Sequence, residues 1–322
     1  MQFAAILEQL RAAGEESRLR IIALLNESDL TVTELVRCLD QLQPRVSRHL
    51  KILVEAGLVA PYQEGAWRFY RLAALPDWLA AMVEALEGDE IEHDRRALQA
   101  IRSERAEKAA AYFAENADAW DAVRQLHIDD AEIERALLDL APEHVDAFLD
   151  LGTGTGRMLT VFSDRYASGA GYDMSPEMLA VARVRIQDAG LRHVHLRRRD
   201  ILKPDEIPAL SADLICIHHV LHFLAEPERA IAAAASALRP GGALLIADFQ
   251  AHVREELRTE YAHRRLGFHT DELSRLAISH GLLPRAERSL PPEREGGLVS
   301  MIWRFDKPNT PQPIQKSDFL HA

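Results

Sequence analysis

The fold of the second half of this chain is set by one stretch, Val145-Asp-Ala-Phe-Leu-Asp150-Leu-Gly152-Thr-Gly154-Thr-Gly156-Arg-Met158. An apolar run ends in an acid, and glycines then occupy every second position before a helical pattern begins. Glycine lets the backbone turn tightly between a strand and a helix and lets it approach a bound nucleotide closely. The stretch therefore predicts a buried strand, a nucleotide-binding loop and a helix, in that order.

Short apolar runs recur on both sides of this stretch, with helical patterns between them. The predicted strands are 145–151, 167–172, 193–197, 213–218 and 243–248, with 283–290 and 298–305 as a closing hairpin. Strands that alternate with helices at this spacing predict an α/β doubly wound, mainly parallel sheet. The tail from residue 306 onward has three prolines and no apolar period, so we expect it to be disordered.

Three acids at strand ends narrow the choice of ligand for the glycine loop. The loop alone is weak evidence, because dinucleotide enzymes carry one at the same place. Asp150, directly before the loop, suits a ligand with an ammonium group better than a pyrophosphate. Asp173 ends the next strand, where a carboxylate can bind a ribose diol, and Asp200 follows the third strand, where it can accept the adenine amino group. Together these acids favour S-adenosylmethionine over NAD.

Residues 110–305 resemble class I methyltransferases in these motifs and in two others. Asp213–His218 resembles the fourth strand of that family, and Leu238–Gly242 resembles the turn before its fifth. The resemblance implies a seven-stranded, Rossmann-like methyltransferase fold whose last strand is antiparallel. It also implies that S-adenosylmethionine or S-adenosylhomocysteine binds to Asp150, Gly152, Thr153, Gly154, Gly156, Asp173, Met174, Asp200, Ile201 and His218.

The sequence identifies no catalytic residue and leads us to expect no metal. The donor sulfonium is already activated, so a methyltransferase can work largely by positioning its acceptor. His218, His219 and His222 could share a metal ion, but no carboxylate or cysteine nearby in the sequence completes a ligand set.

Two further segments leave alternatives open. Tyr112, Phe113 and Trp120 can supply an aromatic lid or can pack in a core. The segment 263–268 can line an acceptor pocket or bind an anion, and it can equally end a solvated helix. The sequence does not decide between these interpretations.

The first 75 residues follow a different pattern, in which short helices precede a hairpin. Thr31 and Glu34 have the spacing of a helix-capping box, and a further helix is predicted from Pro44 to Ala56. Aromatic residues alternate on either side of a Glu-Gly turn at 64–65, which indicates a two-stranded hairpin. This order predicts an all-α winged helix-turn-helix domain with a β-hairpin wing.

The charge of the chain is unevenly distributed. The net charge is −12, and the whole excess of acid lies in residues 76–146, while the segments on either side are balanced. Within the first segment, residues 43–51 hold basic side chains and no acid, as contact with phosphates requires. The two cysteines, Cys38 and Cys216, lie far apart, and neither a signal peptide nor a membrane span is recognisable, so we expect a cytoplasmic protein.

Residues 5–75 resemble ArsR-type repressors, most closely in 17–25, 43–59 and 64–70. The resemblance implies operator DNA as a partner and a homodimer that pairs through residues 1–12 and about 76–100. Base edges would be read by the first residues of the recognition helix, and phosphates would be bound by its later part and the wing. The DNA-binding residues are thus predicted to be Gln43, Arg45, Ser47, Arg48, His49, Lys51 and Arg68.

Metal-sensing members of that family carry a Cys-x-Cys pair in the helix before the recognition helix. Here threonine stands at both places, Thr31 and Thr33, and threonine supplies no thiolate ligand. We therefore do not expect metal or arsenite sensing at this position.

The predicted domains are a winged helix (1–75), linker and dimerisation helices (76–110), a methyltransferase-like domain (111–305) and a tail (306–322). Their combination resembles S-adenosylhomocysteine-responsive ArsR-type repressors, which implies a dimeric regulator whose DNA binding an S-adenosyl ligand modulates. The alternative is an active methyltransferase for a small molecule, with an autoregulatory DNA-binding domain. A nucleic-acid methyltransferase is disfavoured, since Ile217–Val220 lacks an Asn-Pro-Pro-Tyr signature.

Overall fold

Two units of different architecture make up the chain. The computed structural model describes residues 3–64, 67–73, 75–104, 130–260, 263–292 and 297–309. Contacts divide the chain into residues 1–108 and residues 109–322. Tyr112, Phe113 and Trp120 lie outside the described residues. Among those that are described, no helix combines the length and the apolar character that crossing a membrane requires.

The first unit places helices around a small antiparallel sheet. Strand β3 lies between β1 and β2. The helices are α1 (Phe3–Ala13), α2 (Glu16–Glu27), α3 (Val32–Leu39), α4 (Gln43–Glu55), α5 (Asp77–Glu84) and α6 (89–104), and the strands are β1 (Leu30–Thr31), β2 (Val59–Glu64) and β3 (Trp67–Leu72).

Local sequence signals account for the helix-turn-helix and the wing. The Thr31 hydroxyl accepts a hydrogen bond from the Glu34 N–H at 3.3 Å, and the Thr31 N–H donates to the Glu34 carboxylate at 2.8 Å, so the predicted capping box starts α3. Gly57, with φ of +70°, follows the end of α4. Strands β2 and β3 then pair from Val59↔Leu72 to Glu64↔Trp67. The predicted winged helix-turn-helix is confirmed.

Helices α5 and α6 complete the core of this unit. Their side chains Leu79, Val83, Leu98 and Ile101 are buried in the same apolar cluster as the helix-turn-helix. The described part of the predicted linker, residues 76–104, thus packs with the winged helix. The apolar residues of α5 and α6 have their partners within residues 1–75, which is why they join this core.

The second unit is a seven-stranded sheet flanked by helices. The strand order is β6-β5-β4-β7-β8-β10-β9, and β10 is antiparallel to both of its neighbours. The strands are β4 (Val145–Leu151), β5 (Tyr166–Asp173), β6 (Val194–Arg198), β7 (Ala212–His218), β8 (Leu238–Phe249), β9 (Leu283–Leu290) and β10 (Ser300–Asp306), and the helices are α7 (Asp130–Leu140), α8 (Arg157–Val161), α9 (Pro176–Asp188), α10 (Pro227–Ala237), α11 (Glu256–Glu260) and α12 (Thr270–Ser279). The predicted Rossmann-like fold is confirmed.

Two differences from the predicted strand boundaries concern the start of β8 and the end of β10. β8 begins at Leu238, five residues before the predicted strand, and its first residue pairs with Ala212 before a register shift. β10 runs to Asp306, and the Lys307 ammonium donates to the carbonyls of Ala235 and Leu238 at 2.7 and 2.8 Å. The first residues of the predicted tail therefore belong to the ordered unit, while residues 310–322 lie outside the described residues.

The parallel register gathers the ends of the central strands at one edge of the sheet. Asp150 in β4 is level with Gly171 in β5 and with Cys216 in β7. His218 in β7 is level with Ala247 in β8. The residues that follow these positions therefore meet at the carboxyl edge, where open α/β sheets bind ligands.

Candidate functional sites

The glycine loop is fixed to the end of the neighbouring strand. The N–H groups of Gly152 and Thr153 both donate to the Tyr172 carbonyl, at 2.8 and 2.9 Å. Gly152, Gly154 and Gly156 have φ of +75°, +51° and +74°, values that residues with a side chain rarely adopt. The loop is thus held in a conformation that requires glycine, and the Gly156 N–H closes it by donating to the Thr153 carbonyl at 2.8 Å.

The three glycines serve different purposes. A Cβ on Gly152 would lie 2.4 Å from Val220 Cγ2, and one on Gly156 would lie 3.2 Å from the Ala182 Cβ. These two glycines allow other parts of the protein to pack closely against the loop. A Cβ on Gly154 would meet only the Gly152 carbonyl, at 4.0 Å. Gly154 is therefore the position where the open space over the backbone can be taken by a ligand.

Asp150 is a buried acid beneath this loop. It is 1% exposed, and its Oδ2 accepts a hydrogen bond from the Thr153 hydroxyl at 2.6 Å. Its Oδ1 has no hydrogen-bond partner among the described residues. Burial raises the pKa of Asp150 to about 7, because the charged form loses its hydration. A buried carboxylate oxygen without a donor is suited to a ligand that brings one, such as an ammonium group.

Asp173 joins the loop to the end of β5. Its Oδ2 accepts from the Gly154 N–H and its Oδ1 accepts from the Ser175 N–H, both at 2.8 Å. The carboxylate is only partly buried, so it retains acceptor capacity on its exposed side. The next residue, Met174, is 48% exposed at the same edge. The structure therefore brings Asp150, Gly154 and Asp173 together, as the sequence predicts.

The remaining predicted ligand residues have mixed surroundings. The partly buried Asp200 follows β6, and its Oδ1 accepts from the Leu202 N–H at 2.9 Å. Ile201 is buried in the apolar core, so its side chain serves packing. His218 ends β7, and its ring lies 4.7 Å from that of His219. Thr153 supports Asp150 from within the loop.

The expectation that no carboxylate stands near the histidines is wrong. Nitrogens of His219 and His222 and an oxygen of Asp248 all lie within 4.8 Å of one another. Asp248 is separated from His222 by 26 positions in the sequence, and the pairing of β7 with β8 brings it close to the histidines. The sequence signal that could have identified Asp248 is an acid at the end of a predicted strand. The same signal identified Asp173 at the end of β5.

An open groove of about 560 Å³ lies beside His222, whose carbonyl accepts hydrogen bonds from the N–H groups of Arg264 and Arg265, two lining residues. Three arginines line the groove, and Glu255 is an acid among the lining residues. In the segment 263–268, His263 is buried, whereas Arg264 and Arg265 line the groove. The segment thus lines a groove and does not end a helix, and an acceptor pocket and an anion site are the two interpretations left for it.

The proposed DNA-reading residues share the exposed face of α4. Gln43, Arg45, Ser47, Arg48 and Lys51 are exposed, and between them Val46 and Leu50 are buried in the core. Arg68 is exposed on the wing strand β3. An amphipathic helix whose basic side chains are exposed is what contact with the DNA backbone and base edges requires.

His49 does not belong to this face. It is 9% exposed, and its Nδ1 lies 3.5 Å from a carboxylate oxygen of Glu15, the residue that caps α2. Burial lowers the pKa of His49, which favours the neutral ring. The sequence prediction included His49 because it falls within the basic run, but helical periodicity turns it inward. We leave it out of the proposed DNA-binding set.

Known protein families match both units. The family described as bacterial regulatory protein, arsR family, matches residues 15–60, and the family described as methyltransferase domain matches residues 149–246. The arsenical resistance operon repressor of Escherichia coli (strain K12) is 38% identical over 86 residues, which are 26% of this chain and 74% of that protein. Phosphatidylethanolamine N-methyltransferase of Cereibacter sphaeroides is 32% identical over 174 residues, 51% of this chain and 83% of that protein.

Solved structures agree with the fold of the second unit. A chain from the complex between the Haloferax volcanii Trm112 methyltransferase activator and a methyltransferase aligns with a TM-score of 0.51. The sequence identity is 19%, and the alignment covers 64% of this chain and 99% of the other. At this identity the likeness concerns the fold alone.

Fold, sites and relatives together define a winged-helix unit followed by a class I methyltransferase unit. By its N-terminal domain the chain belongs to the ArsR family of bacterial regulatory proteins, and its C-terminal domain is a class I methyltransferase domain. This second fold implies an S-adenosyl ligand, and the buried Asp150 with the open backbone at Gly154 fits one.

Proposed function

We propose that this protein is a dimeric transcriptional regulator whose methyltransferase-like domain binds S-adenosylmethionine or S-adenosylhomocysteine and thereby modulates DNA binding. The observation that carries the proposal is the presence, in one chain, of an exposed cationic recognition helix and an intact glycine loop with its acids. Arg48 represents the first and Asp173 the second. A regulator needs both a DNA contact and an effector site.

In this proposal the ligand is held by residues with distinct roles. Asp150 binds the ammonium group, the backbone at Gly154 allows close approach, and Asp173 accepts hydrogen bonds from the ribose hydroxyls. Asp200 and Met174 contact the adenine. When bound, S-adenosylmethionine offers an activated methyl group, whereas S-adenosylhomocysteine offers none, so only the former can support transfer.

Modulation of DNA binding requires a difference in affinity. A ligand shifts an equilibrium between two states only if it binds one of them more tightly. The proposal therefore demands that the S-adenosyl ligand bind the DNA-competent and DNA-incompetent dimers unequally. A ligand that binds both equally would leave DNA affinity unchanged, however tight its own binding.

The test combines calorimetry with a gel-shift assay on the DNA upstream of the gene. We expect either S-adenosyl ligand to bind, and at least one to change the DNA affinity by tenfold or more. If both bind tightly and neither changes DNA affinity, the sensor proposal fails. Measurement of the mass in solution checks the dimer separately.

Two substitutions separate the sites. Arg48→Ala should abolish specific binding to the operator and leave ligand affinity intact, because the side chain lies exposed on α4. Asp173→Ala should lower the affinity for the S-adenosyl ligand and leave DNA binding by the ligand-free protein intact. Loss of both activities in either variant would contradict separate sites.

A second candidate is an active methyltransferase, and the cationic groove favours it. Arg258, Arg264 and Arg265 line this groove together with one acid, Glu255, so the lining is net positive and a phosphate-bearing acceptor would be attracted there. The relative from Cereibacter sphaeroides is named for phosphatidylethanolamine, which has such a phosphate. Formation of S-adenosylhomocysteine from S-adenosylmethionine with phosphatidylethanolamine vesicles would support this candidate. Reaction rates equal to those without vesicles would exclude this acceptor.

A further inference from the structure

A buried histidine–aspartate pair lies at the carboxyl edge of the sheet, beyond the residues proposed for the S-adenosyl ligand. His222 is 2% exposed and Asp248 is fully buried, and Nδ1 of the first lies 2.8 Å from Oδ1 of the second. The Phe249 N–H also donates to Oδ1 at 2.8 Å, whereas among the described residues Oδ2 receives a longer bond, 3.3 Å, from the His222 N–H. Asp248 therefore keeps acceptor capacity in a place where water is excluded.

His219 is brought to this pair by an unusual backbone. Its φ is +53°, in the left-handed region that is costly for a side chain such as histidine. Its N–H donates to the Ala247 carbonyl at 2.8 Å, which continues the β7–β8 ladder and anchors the turn. Strained backbone of this kind is found at functional sites more often than elsewhere.

We propose that His219, His222 and Asp248 bind a divalent transition-metal ion. Two imidazoles and one carboxylate are donors that suit Zn²⁺, Fe²⁺ or Co²⁺ better than Mg²⁺ or Ca²⁺, which take oxygen ligands. Two atoms 2.8 Å apart can both lie about 2.1 Å from one ion, so the ion can take the place of the hydrogen bond between His222 and Asp248. The third donor, a nitrogen of His219, lies within 4.8 Å of a nitrogen of His222 and an oxygen of Asp248. Donors that share one ion lie at most about 4.2 Å apart, so the His219 ring would turn toward the pair when the ion binds.

The site adjoins the glycine loop. Val220 lies between the two histidine ligands in sequence, and its side chain occupies the space that a Cβ on Gly152 would need. An ion would therefore hold the segment against which the nucleotide loop packs. It would also present a Lewis acid beside the cationic groove. The proposal does not depend on the S-adenosyl function, because an ion can bind in the absence of that ligand and of DNA.

The experiment uses the full-length protein after treatment with a chelator. We expect calorimetric titration with Zn²⁺ alone to show one tight site per chain, and Co²⁺ to give visible absorption bands typical of nitrogen and oxygen ligation. His219→Ala and Asp248→Asn should each lower Zn²⁺ affinity at least tenfold. Asparagine keeps the shape of the buried side chain at position 248. Asp248→Asn therefore still tests the metal site if His219→Ala does not fold.

His252→Ala is the matched control. His252 lines the adjacent groove, but its Nδ1 accepts the Arg254 N–H at 3.2 Å, which places the proton of the neutral ring on Nε2. This variant should bind Zn²⁺ as the unmodified protein does. Equal affinity in all variants, or no tight site in the unmodified protein, would overturn the proposal. Thermal unfolding without metal shows which variants are folded.

Discussion

At the scale of single residues, Asp150 links ligand binding to pH. Burial raises the pKa of its carboxyl to about 7, so the folded protein holds this proton more tightly than the unfolded chain does. The contribution of Asp150 to stability is therefore greatest at low pH and falls as the pH rises from about 4 to about 7. A ligand ammonium group would have the opposite preference, because it requires the ionised carboxylate.

We therefore expect the affinity for an S-adenosyl ligand to fall as the pH drops below about 7, by up to about tenfold per unit for one proton. Calorimetry at pH 6, 7 and 8 measures this slope. Asp150→Asn should bind more weakly at pH 8 and should lose most of the slope. The same pH dependence in the variant would show that another group is responsible.

The glycines of the loop offer a second residue-scale prediction. Gly152→Ala should destabilise the domain by roughly 2–4 kcal/mol, since its Cβ would overlap Val220. Gly154→Ala should cost only about 1–2 kcal/mol for its left-handed backbone, because among the described residues other than its chain neighbours no atom lies closer than 4.0 Å to the added Cβ. Yet Gly154→Ala should reduce ligand affinity more than tenfold. Urea unfolding and calorimetry on the two variants separate stability from binding.

At the scale of elements, helix α6 is attached to the winged helix by a buried ion pair. Arg20 Nε lies 2.7 Å from Asp94 Oδ2, and the Arg20 Nη2 lies 2.6 Å from Oδ1, so the pair is bidentate between α2 and α6. Two further ion pairs, from Arg95 and Arg102 to Glu27, join the same helices near the surface. The buried pair specifies how α6 packs against α2. Loss of either side chain would leave the charge of the other buried without a partner.

Asp94→Ala should therefore destabilise the first unit by about 3–5 kcal/mol, because Arg20 would stay buried without its partner. The double variant Arg20→Met/Asp94→Leu should recover most of this loss. Chemical unfolding followed by circular dichroism measures both. An Asp94→Ala variant as stable as the unmodified protein would mean that Arg20 reaches solvent or another acid.

Elements also show where sequence reasoning succeeds. Most strands were placed to within two residues, because apolar runs bounded by turn residues are a local signal. The start of β8 differs from the prediction because Pro240 and two glycines indicate a turn. In the structure Leu238 pairs with Ala212 of β7, and Gly241 and Gly242 exchange backbone hydrogen bonds with Lys307, directly after β10. His49 and Asp248 were misjudged for a related reason: helix rotation and strand pairing, not neighbours in sequence, decide their surroundings.

At the scale of the whole molecule, charge is separated along the chain. The acidic excess lies in residues 76–146 of the sequence, outside α4, whose exposed side chains include basic residues and no acid from 43 to 51, so an acidic protein can still present a surface suited to phosphates. One basic side chain of this face has an acid close by: the Arg45 Nη2 lies 3.9 Å from a carboxylate oxygen of Glu15. DNA would compete with this acid for the guanidinium.

We expect DNA binding to be strongly salt-dependent. Lys51→Ala and Arg68→Ala should each weaken binding to all sequences and reduce the slope of log K against log salt by about 1. Arg48→Ala should instead reduce the difference between operator and unrelated DNA. Gel-shift titrations at several salt concentrations distinguish these effects. Unchanged slopes in the first two variants would remove those residues from the phosphate contacts.

The strand order of the second unit also bears on how the protein is made. β10 lies between β8 and β9, so β9 has no partner until the ribosome has released the residues of β10. The first unit has no such requirement, and domains fold in the order of their synthesis. Nascent chains arrested before residue 300 should therefore contain a protease-resistant winged helix and a protease-sensitive methyltransferase unit. During translation, the DNA-binding half of the regulator would thus be folded before the half that would control it.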